Sequence, residues 1–429
     1  MKKITVAIVG GGSRGSIYSK YILDNPYEVQ LVAVAEPDQV KRKRIQNEHK
    51  IQNEKCFSSW DELLSKPKLA DSIVIATLDR MHFEPVLAAM EKGYHILLEK
   101  PMSYDPLECL IIGNYAQKYN KIFNICYSMR HLEISQQLKK ILDEGRIGRL
   151  VTVTHTENVA HWHYAHSFVR GNWSNSKESS SMILQKSCHD MDFLLWLIGS
   201  ECEKISSFGD LTYFKEENAP VGAPARCTDG CPYERECPYN AMKFYLNGKP
   251  GWPNYCLCND TGDLKSMLNA LKKGPYGRCV FRCNNDVVDH QVVNFKFRNG
   301  VTAVFTMSAF TQNWGRTSKF MGTKGEIRFH SEKAELEILD FISGSIEIIK
   351  SKSSIDDLGH GGSDERMFYD FVKNIGEGNV KESQKAVGYS VHSHIMAFAA
   401  ERSRLLGECV DVLQYEEELR SQKALNREL

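Results

Sequence analysis

Two short segments carry the residue types that proton and hydride chemistry needs. Glu99-Lys100-Pro101 follows the apolar run Tyr94 to Leu98, and Lys186-Ser187-Cys188-His189-Asp190-Met191-Asp192 opens a second apolar stretch that ends at Gly199. A lysine at the end of a strand can bind a hydroxyl and stabilise the charge that develops as its proton leaves. Pro101 restricts the residue before it to extended geometry, so Lys100 is aimed rather than free. His189 titrates near neutrality and can serve as acid or base, with Asp192 one turn further on to orient the imidazole. Ser187 and Asp190 read as a capping-box-like pair that starts the helix, with Asp in place of the usual Glu. Lys186 is a second candidate base. The plainer alternatives are a surface lysine and a histidine that caps a helix or edges a core.

A third segment is an anion cradle. The strand Ile4 to Val9 runs into Gly10-x-Gly12-x-x-Gly15. The first glycine permits a tight turn, the second lets backbone approach a pyrophosphate, and the third lets the following helix pack on the strand. Ser13 and Arg14 complete the turn, and the helix start offers free N–H groups to the anion. A second strand, Val29 to Ala35, ends at Glu36, about twenty residues on, where a carboxylate can bind the adenosine ribose. Lys41-Arg42-Lys43-Arg44 is either a solvated helix face or, with Arg14, a clamp for a 2′-phosphate. Glu36 would repel that phosphate, so NAD is favoured over NADP.

Two further groups are less specific. His161-Trp162-His163-Tyr164-x-His166 suits a sugar pocket wall, a plain loop or a metal site. Seven of the thirteen cysteines fall between Cys227 and Cys283. Cys227, Cys231 and Cys237, with Cys279 or Cys283, have spacings compatible with zinc or an iron–sulfur cluster. Buried free thiols or disulfides are the alternatives.

The elements that must position these residues follow from apolar patterning. Continuous apolar strands at Ile4, Val29, Ser72 to Ala76, Tyr94 to Leu98 and Lys121 to Cys126 alternate with helical stretches, which predicts a doubly wound parallel sheet over 1–124. Region 125–345 reads as an α+β domain with a largely antiparallel open sheet. Its strands include Leu150 to Thr156 and a pair joined by a type I′ turn at Asn299-Gly300. An irregular cysteine-rich insertion covers about 214–276. Region 346–429 reads as helices that pack back on both domains. Lys+Arg and Asp+Glu are both 54, so charge gives no argument for nucleic acid or an anionic membrane. No apolar run is long enough to span a bilayer, and the cytoplasm is the expected location.

Glu-Lys-Pro after the fourth long strand of a dinucleotide-binding sheet, then His-x-x-Asp opening a helix in the next domain, resembles the glucose–fructose oxidoreductase / inositol dehydrogenase / rhizopine catabolism (Gfo/Idh/MocA) family. Tyr127-Ser128-Met129-Arg130-His131 also resembles the segment after the last Rossmann strand there. The resemblance implies an NAD(P)-dependent dehydrogenase of sugars, cyclitols or related polyols, with Lys100 and His189 as the catalytic pair. Glu99 and Lys100 would border the cofactor, and Tyr127, Arg130, His163 and Gln185 the substrate. Many members carry Asp four residues before the histidine; here Gln185 stands there, and glutamine cannot take a proton. A homodimer or homotetramer is implied. Two other functions stay open: an NAD-dependent glycosidase working by transient oxidation and elimination, and a non-catalytic nucleotide sensor.

Overall fold

The computed structural model describes residues 3–247, 251–258, 260–351 and 362–422. Parts of the expected insertion (248–250 and 259) and of the expected C-terminal helical region (352–361 and 423–429) lie outside the described residues.

The first sheet is parallel throughout. Its strands are β1 (Ile4–Val9), β2 (Val29–Ala35), β3 (Cys56–Phe57), β4 (Ser72–Ile75), β5 (His95–Leu98) and β6 (Phe123–Ile125), in the order β3-β2-β1-β4-β5-β6. Strand order reverses between β1 and β4, and ligands bind outside the carboxyl ends of strands at such a switch point. Gly10, Glu36 and Glu99-Lys100 all lie at those ends. The strands are apolar without alternation because both faces are covered. Val9, Ile73, Ile75 and Leu98 face a core continuous with the second sheet. Val6, Ile8, Val74 and Leu97 face Tyr18 and Ile22 of the helix Ser13–Asp24, and Met367, Phe368 and Phe371 of the helix Ser363–Glu377.

The second sheet has nine strands: β7 (Leu150–Val159), β8 (Cys202–Asp210), β9 (His290–Phe297), β10 (Thr302–Ser308), β11 (Trp314–Gly322), β12 (Gly325–His330), β13 (Glu335–Asp340), β14 (Ile346–Lys350) and β15 (Val410–Asp411). Their order is β14-β13-β12-β11-β7-β10-β9-β8-β15, and only β7 and β10 pair in parallel. One face packs on the helix Cys188–Ile198 through Phe193, Leu194 and Leu197, and the other is open. The C-terminal region is not helical throughout, since β14 and β15 extend this sheet at its two edges. The insertion, in turn, contains two helices, Ala241–Leu246 and Leu264–Lys273.

The β9–β10 connection departs from the expected type I′ turn. Of Asn299 and Gly300, only Gly300 has positive φ, at +85°. The Gly300 amide donates to Phe297 O, and the Phe297 amide to Val301 O. This is a type I turn followed by a left-handed glycine, the three-residue hairpin loop.

The helix Val380–Leu406 joins the two halves. Val387, Val391 and Ile395 enter the shared core, and His394 reaches the segment after β5. Its Nε2 accepts the Met102 amide at 2.7 Å, and its Nδ1 lies 2.7 Å from Ser390 O and 3.0 Å from Tyr127 Oη. Accepting through Nε2 requires an unprotonated ring nitrogen, and burial pushes the imidazole from 6.5 down to about 4. The folded pKa lies below the unfolded one, so the unfolded chain takes the proton first. This contribution to stability is therefore complete above pH 6.5 and lost as pH falls toward about 4. Thermal unfolding followed by circular dichroism across that window should show a falling midpoint. His394→Gln should start from a lower midpoint and fall less steeply with acid.

Candidate active site between the two sheets

The glycine turn fits a pyrophosphate for three separate reasons. Gly10 sits at φ +93°, and a Cβ there would stand 2.4 Å from Ala76 O. A Cβ on Gly15 would stand 1.9 Å from Gly10 O, so only glycine lets the helix begin this close to the strand. Gly12 has open space where its Cβ would be, on the side from which an anion must approach. Glu36 is buried beside this turn and accepts hydrogen bonds from the Gly11 amide and, at 2.9 Å, from the Asp38 amide. Ser13 is exposed, and its Oγ lies 2.6 Å from Tyr255 Oη, which reaches over from the cysteine-rich insertion. Nothing local in the sequence pairs Tyr255 with Ser13.

The basic groups near this turn are already engaged. Arg14 donates from Nε to Glu99 Oε1 and, at 2.8 Å, from its two terminal nitrogens to Asp364. Arg42 donates to the carbonyls of Glu36 and Pro37, and Arg44 to Ser16 Oγ at 2.6 Å. Arg14, Arg42 and Arg44 are therefore not ready clamps for a 2′-phosphate. Glu99 also accepts from Tyr18 Oη at 2.6 Å. Burial alone would raise its pKa, but Arg14 and Tyr18 together hold the carboxyl below its ordinary value.

Lys100 leaves the end of β5 through a cis peptide bond to Pro101. Its Nζ donates to the backbone carbonyl of Gln185 at 2.9 Å and lies 6.0 Å from the Trp173 ring centroid. That carbonyl belongs to the short helix Met182–Gln185, just before the helix Cys188–Ile198 that carries His189. Lys100 is thus tied to the segment of the facing domain that leads into the helix carrying His189. Tyr127 joins them, with its ring edge-on to His189 at 5.9 Å.

Three expectations about this segment are corrected. Ser187 makes no side-chain cap, because the chain is already helical at Met182–Gln185. Asp190 is instead drawn into the interior, where Oδ1 meets His155 Nε2 at 2.9 Å and Arg316 Nε at 3.0 Å. Asp192 does not orient His189: both its oxygens are gripped by Arg130, at 2.7 Å from Nε and 2.5 Å from Nη2. Arg130 is accordingly spent on that pair rather than offered to a substrate.

Lys186 enters a buried charge cluster. Its Nζ is 3.3 Å from Glu157 Oε1, and Glu157 Oε2 is 2.5 Å from Arg316 Nε. Burial lowers the lysine pKa and raises that of Glu157, each partly offset by the other charges. Burial would also raise Asp190, but Arg316 and His155 override it and hold the carboxyl at about 2. The charge of Lys100 acts on both Lys186 and Cys188, so the cluster borders the site. Glu157, His155 and Arg316 escaped the sequence reading. The signal was present: in β7, His155 and Glu157 lie on the same buried face as Val153 and Val159.

His163 lies with the insertion, edge-on to Trp252 at 4.9 Å. His166 stacks on Tyr276 at 4.7 Å and bonds to Tyr245 Oη at 2.6 Å, and burial drops its pKa to about 3. Cys227, Cys231, Cys237 and Cys279 line one small, partly open pocket. Among the described residues, no group of three or more His, Cys, Asp or Glu is placed to hold a metal ion.

A switch-point glycine turn, an acid at the end of β2, and a strand-end lysine bonded to the facing domain are the features of a dinucleotide-dependent oxidoreductase. The chain belongs to the Gfo/Idh/MocA family: residues 4–127 match its NAD-binding Rossmann fold and residues 139–425 its C-terminal alpha/beta domain. It is 24 % identical over 328 residues to YteT of Bacillus subtilis strain 168, an oxidoreductase by name alone, covering 73 % of this chain and 74 % of that protein. It is 26 % identical over 230 residues to inositol 2-dehydrogenase 4 of Saccharopolyspora erythraea, covering 53 % of this chain and 62 % of the relative. Levoglucosan dehydrogenase in complex with NADH and levoglucosan shares the fold, with a TM-score of 0.69 at 18 % identity over 96 % of this chain and all of that one. No helix among the described residues is long and apolar enough to cross a membrane.

The position of Glu36 generates a test. Fluorescence titration should show tighter binding of NADH than of NADPH. Glu36→Ala should narrow that difference by roughly tenfold, since one hydrogen-bonded charge contributes about 1.5 kcal/mol or more.

Proposed function

We propose that this protein transfers a hydride reversibly between NAD and a secondary alcohol of a sugar, cyclitol or related polyol. The observation that supports this best is the bond from Lys100 Nζ, at the end of a Rossmann strand, to the backbone of the segment that carries His189. It ties the cation at the strand end to the facing segment whose next helix carries His189. NAD, held by Gly10 to Gly15 and Glu36, supplies a hydride acceptor when bound. Lys100 binds the substrate hydroxyl and stabilises the developing alkoxide, and His189 receives its proton. Tyr127 and the Gln185 side chain border the substrate. The position that many relatives fill with Asp is Gln185, so proton transfer falls to His189 and Lys100, with Lys186 held behind them by Glu157.

We place the nucleotide half at 1–124 and the substrate half at 125–345. The protein works in the cytoplasm as a homodimer or homotetramer, built through the open face of the nine-stranded sheet. A metal is proposed only for the cysteine cavity, apart from the hydride step.

The substrate test is NADH formation at 340 nm across a panel of sugars and cyclitols, with product analysis. Product without net NADH would favour the elimination-type glycosidase, and NADH binding without any turnover would favour a sensor. On the identified substrate, Lys100→Met and His189→Ala should each lower kcat by at least about a hundredfold. NADH affinity should stay within a few-fold. Near-normal turnover of Lys100→Met would sink this mechanism.

A further inference from the structure

The cysteine-rich insertion sends one arm, Trp252 to Cys256, across to the cofactor turn. The arm is anchored on the substrate half. The Trp252 ring meets His163 edge-on at 4.9 Å, Trp162 at 5.6 Å and His166 at 5.5 Å. Asn254 is buried and donates from Nδ2 to Tyr245 O at 3.1 Å. That bond ties the arm to the insertion's own small core of Ala241, Tyr245, Met267 and Leu271. The Tyr255 amide donates to Gly251 O at 3.1 Å and the Cys256 amide to Pro253 O at 3.0 Å, which folds the arm into a tight turn. The turn presents Tyr255, 44 % exposed, to the nucleotide half.

The place that Tyr255 reaches is specific. Its Oη lies 2.6 Å from Oγ of Ser13, the first residue of the helix Ser13–Asp24. Amides in the first turn of a helix have no intrahelical acceptor, and a pyrophosphate takes its bonds from them. Beside Tyr255, the charge of Lys41 on the helix Gln39–His49 reaches the Cys256 thiol. The arm therefore lies close to both helices that flank the cradle. A bond between two exposed hydroxyls adds little to stability, so it does not by itself account for an arm that crosses between the halves. Partial burial lifts the Tyr255 phenol above the ordinary tyrosine value, so the hydroxyl keeps its proton and has one to donate.

We propose, resting on the nucleotide reading above, that Tyr255 is a cofactor-binding residue whose hydroxyl donates to the pyrophosphate of NAD. The arm is a clamp that holds the nucleotide on the glycine turn. Without an anion there, the phenol and the Ser13 hydroxyl bond to each other; with one, both become donors to it. A charged oxygen is a stronger acceptor than a serine hydroxyl, so the exchange of partners is favourable. Release of the nucleotide requires the arm to lift, so the clamp acts chiefly on the dissociation rate.

The test measures binding to the whole protein, without turnover. The probes are NADH, ADP-ribose, which keeps the pyrophosphate but lacks nicotinamide, and adenosine, which lacks phosphate. Tyr255→Phe removes one oxygen. It should weaken NADH and ADP-ribose alike, by roughly 5–10-fold, and leave adenosine within about twofold. Stopped-flow fluorescence should place most of the loss in faster NADH release. Trp252→Ala keeps the hydroxyl but frees the arm, and should weaken the same two ligands. In the unaltered protein, bound ADP-ribose should slow hydrogen exchange of the amides in 251–258, a measurement that stands even if Trp252→Ala fails to fold. Equal binding of NADH and ADP-ribose by Tyr255→Phe and the unaltered protein would overturn the clamp alone. So would an adenosine loss as large as the NADH loss, or unchanged exchange in the arm. If the unaltered protein bound neither NADH nor ADP-ribose, the nucleotide site itself would be wrong, and the clamp with it.

Discussion

Two carboxylates, Glu157 and Asp190, are buried beneath the site, and the arrangement above them depends on their being paired. Moving a carboxylate out of water costs several kcal/mol, and only close, well-oriented partners offset it. Glu157 comes from β7 and Asp190 from the helix that carries His189; Arg316 of β11 meets both. A slip of that helix by one residue would carry Asp190 away from Arg316 and His155 and leave its charge in the interior without partners, at about 3–5 kcal/mol. The pairing thus sets the helix's register on the sheet. His189 is adjacent to Asp190 in the chain, and Gln185 and Lys186 lie just before it, so their positions relative to Lys100 follow from the same constraint.

The parallel sheet was legible because its signal is local and redundant. β1, β4 and β5 are short apolar runs buried on both faces, and each is followed by a helix. The second sheet was legible only in part. β9 and β10 alternate strictly and are joined by a glycine turn, although the turn type followed from loop geometry that the Asn-Gly pair alone does not specify. β8 and β11 carry Ser, Lys and Thr on a half-open face and were not recognised as strands. β14 has four of its five residues exposed, so burial gave it no apolar pattern to display. Edge and open-face strands are stabilised by pairing, and pairing is not written in a single window of sequence.

The site divides along the same line. Lys100, the glycine turn and Glu36 were found because strand, turn and acid are consecutive. Asp192 was misread because its partner, Arg130, comes from 62 residues away. A carboxylate one helical turn from a histidine invites local pairing; a guanidinium with two hydrogen-bonding nitrogens offers it a stronger, bidentate contact. Glu157 could have been found by asking why a glutamate stands in the buried phase of β7. Its partner Arg316 could not, since β11 itself went unrecognised.

The chain treats its deeply placed arginines in two ways. Arg14, Arg130 and Arg316 each face carboxylates, and each joins elements remote in sequence: helix to strand end, the segment after β6 to the helix that carries His189, strand to helix. Those cations are compensated by the protein alone. Arg170 and Arg226 face carbonyl oxygens and sulfur, in the part of the molecule with the smallest core. Carbonyl dipoles solvate a guanidinium but do not neutralise it. The difference matters beyond the insertion, because Tyr255 carries its position to Ser13 on the cofactor turn. Whatever fixes the insertion also fixes one wall of the nucleotide site.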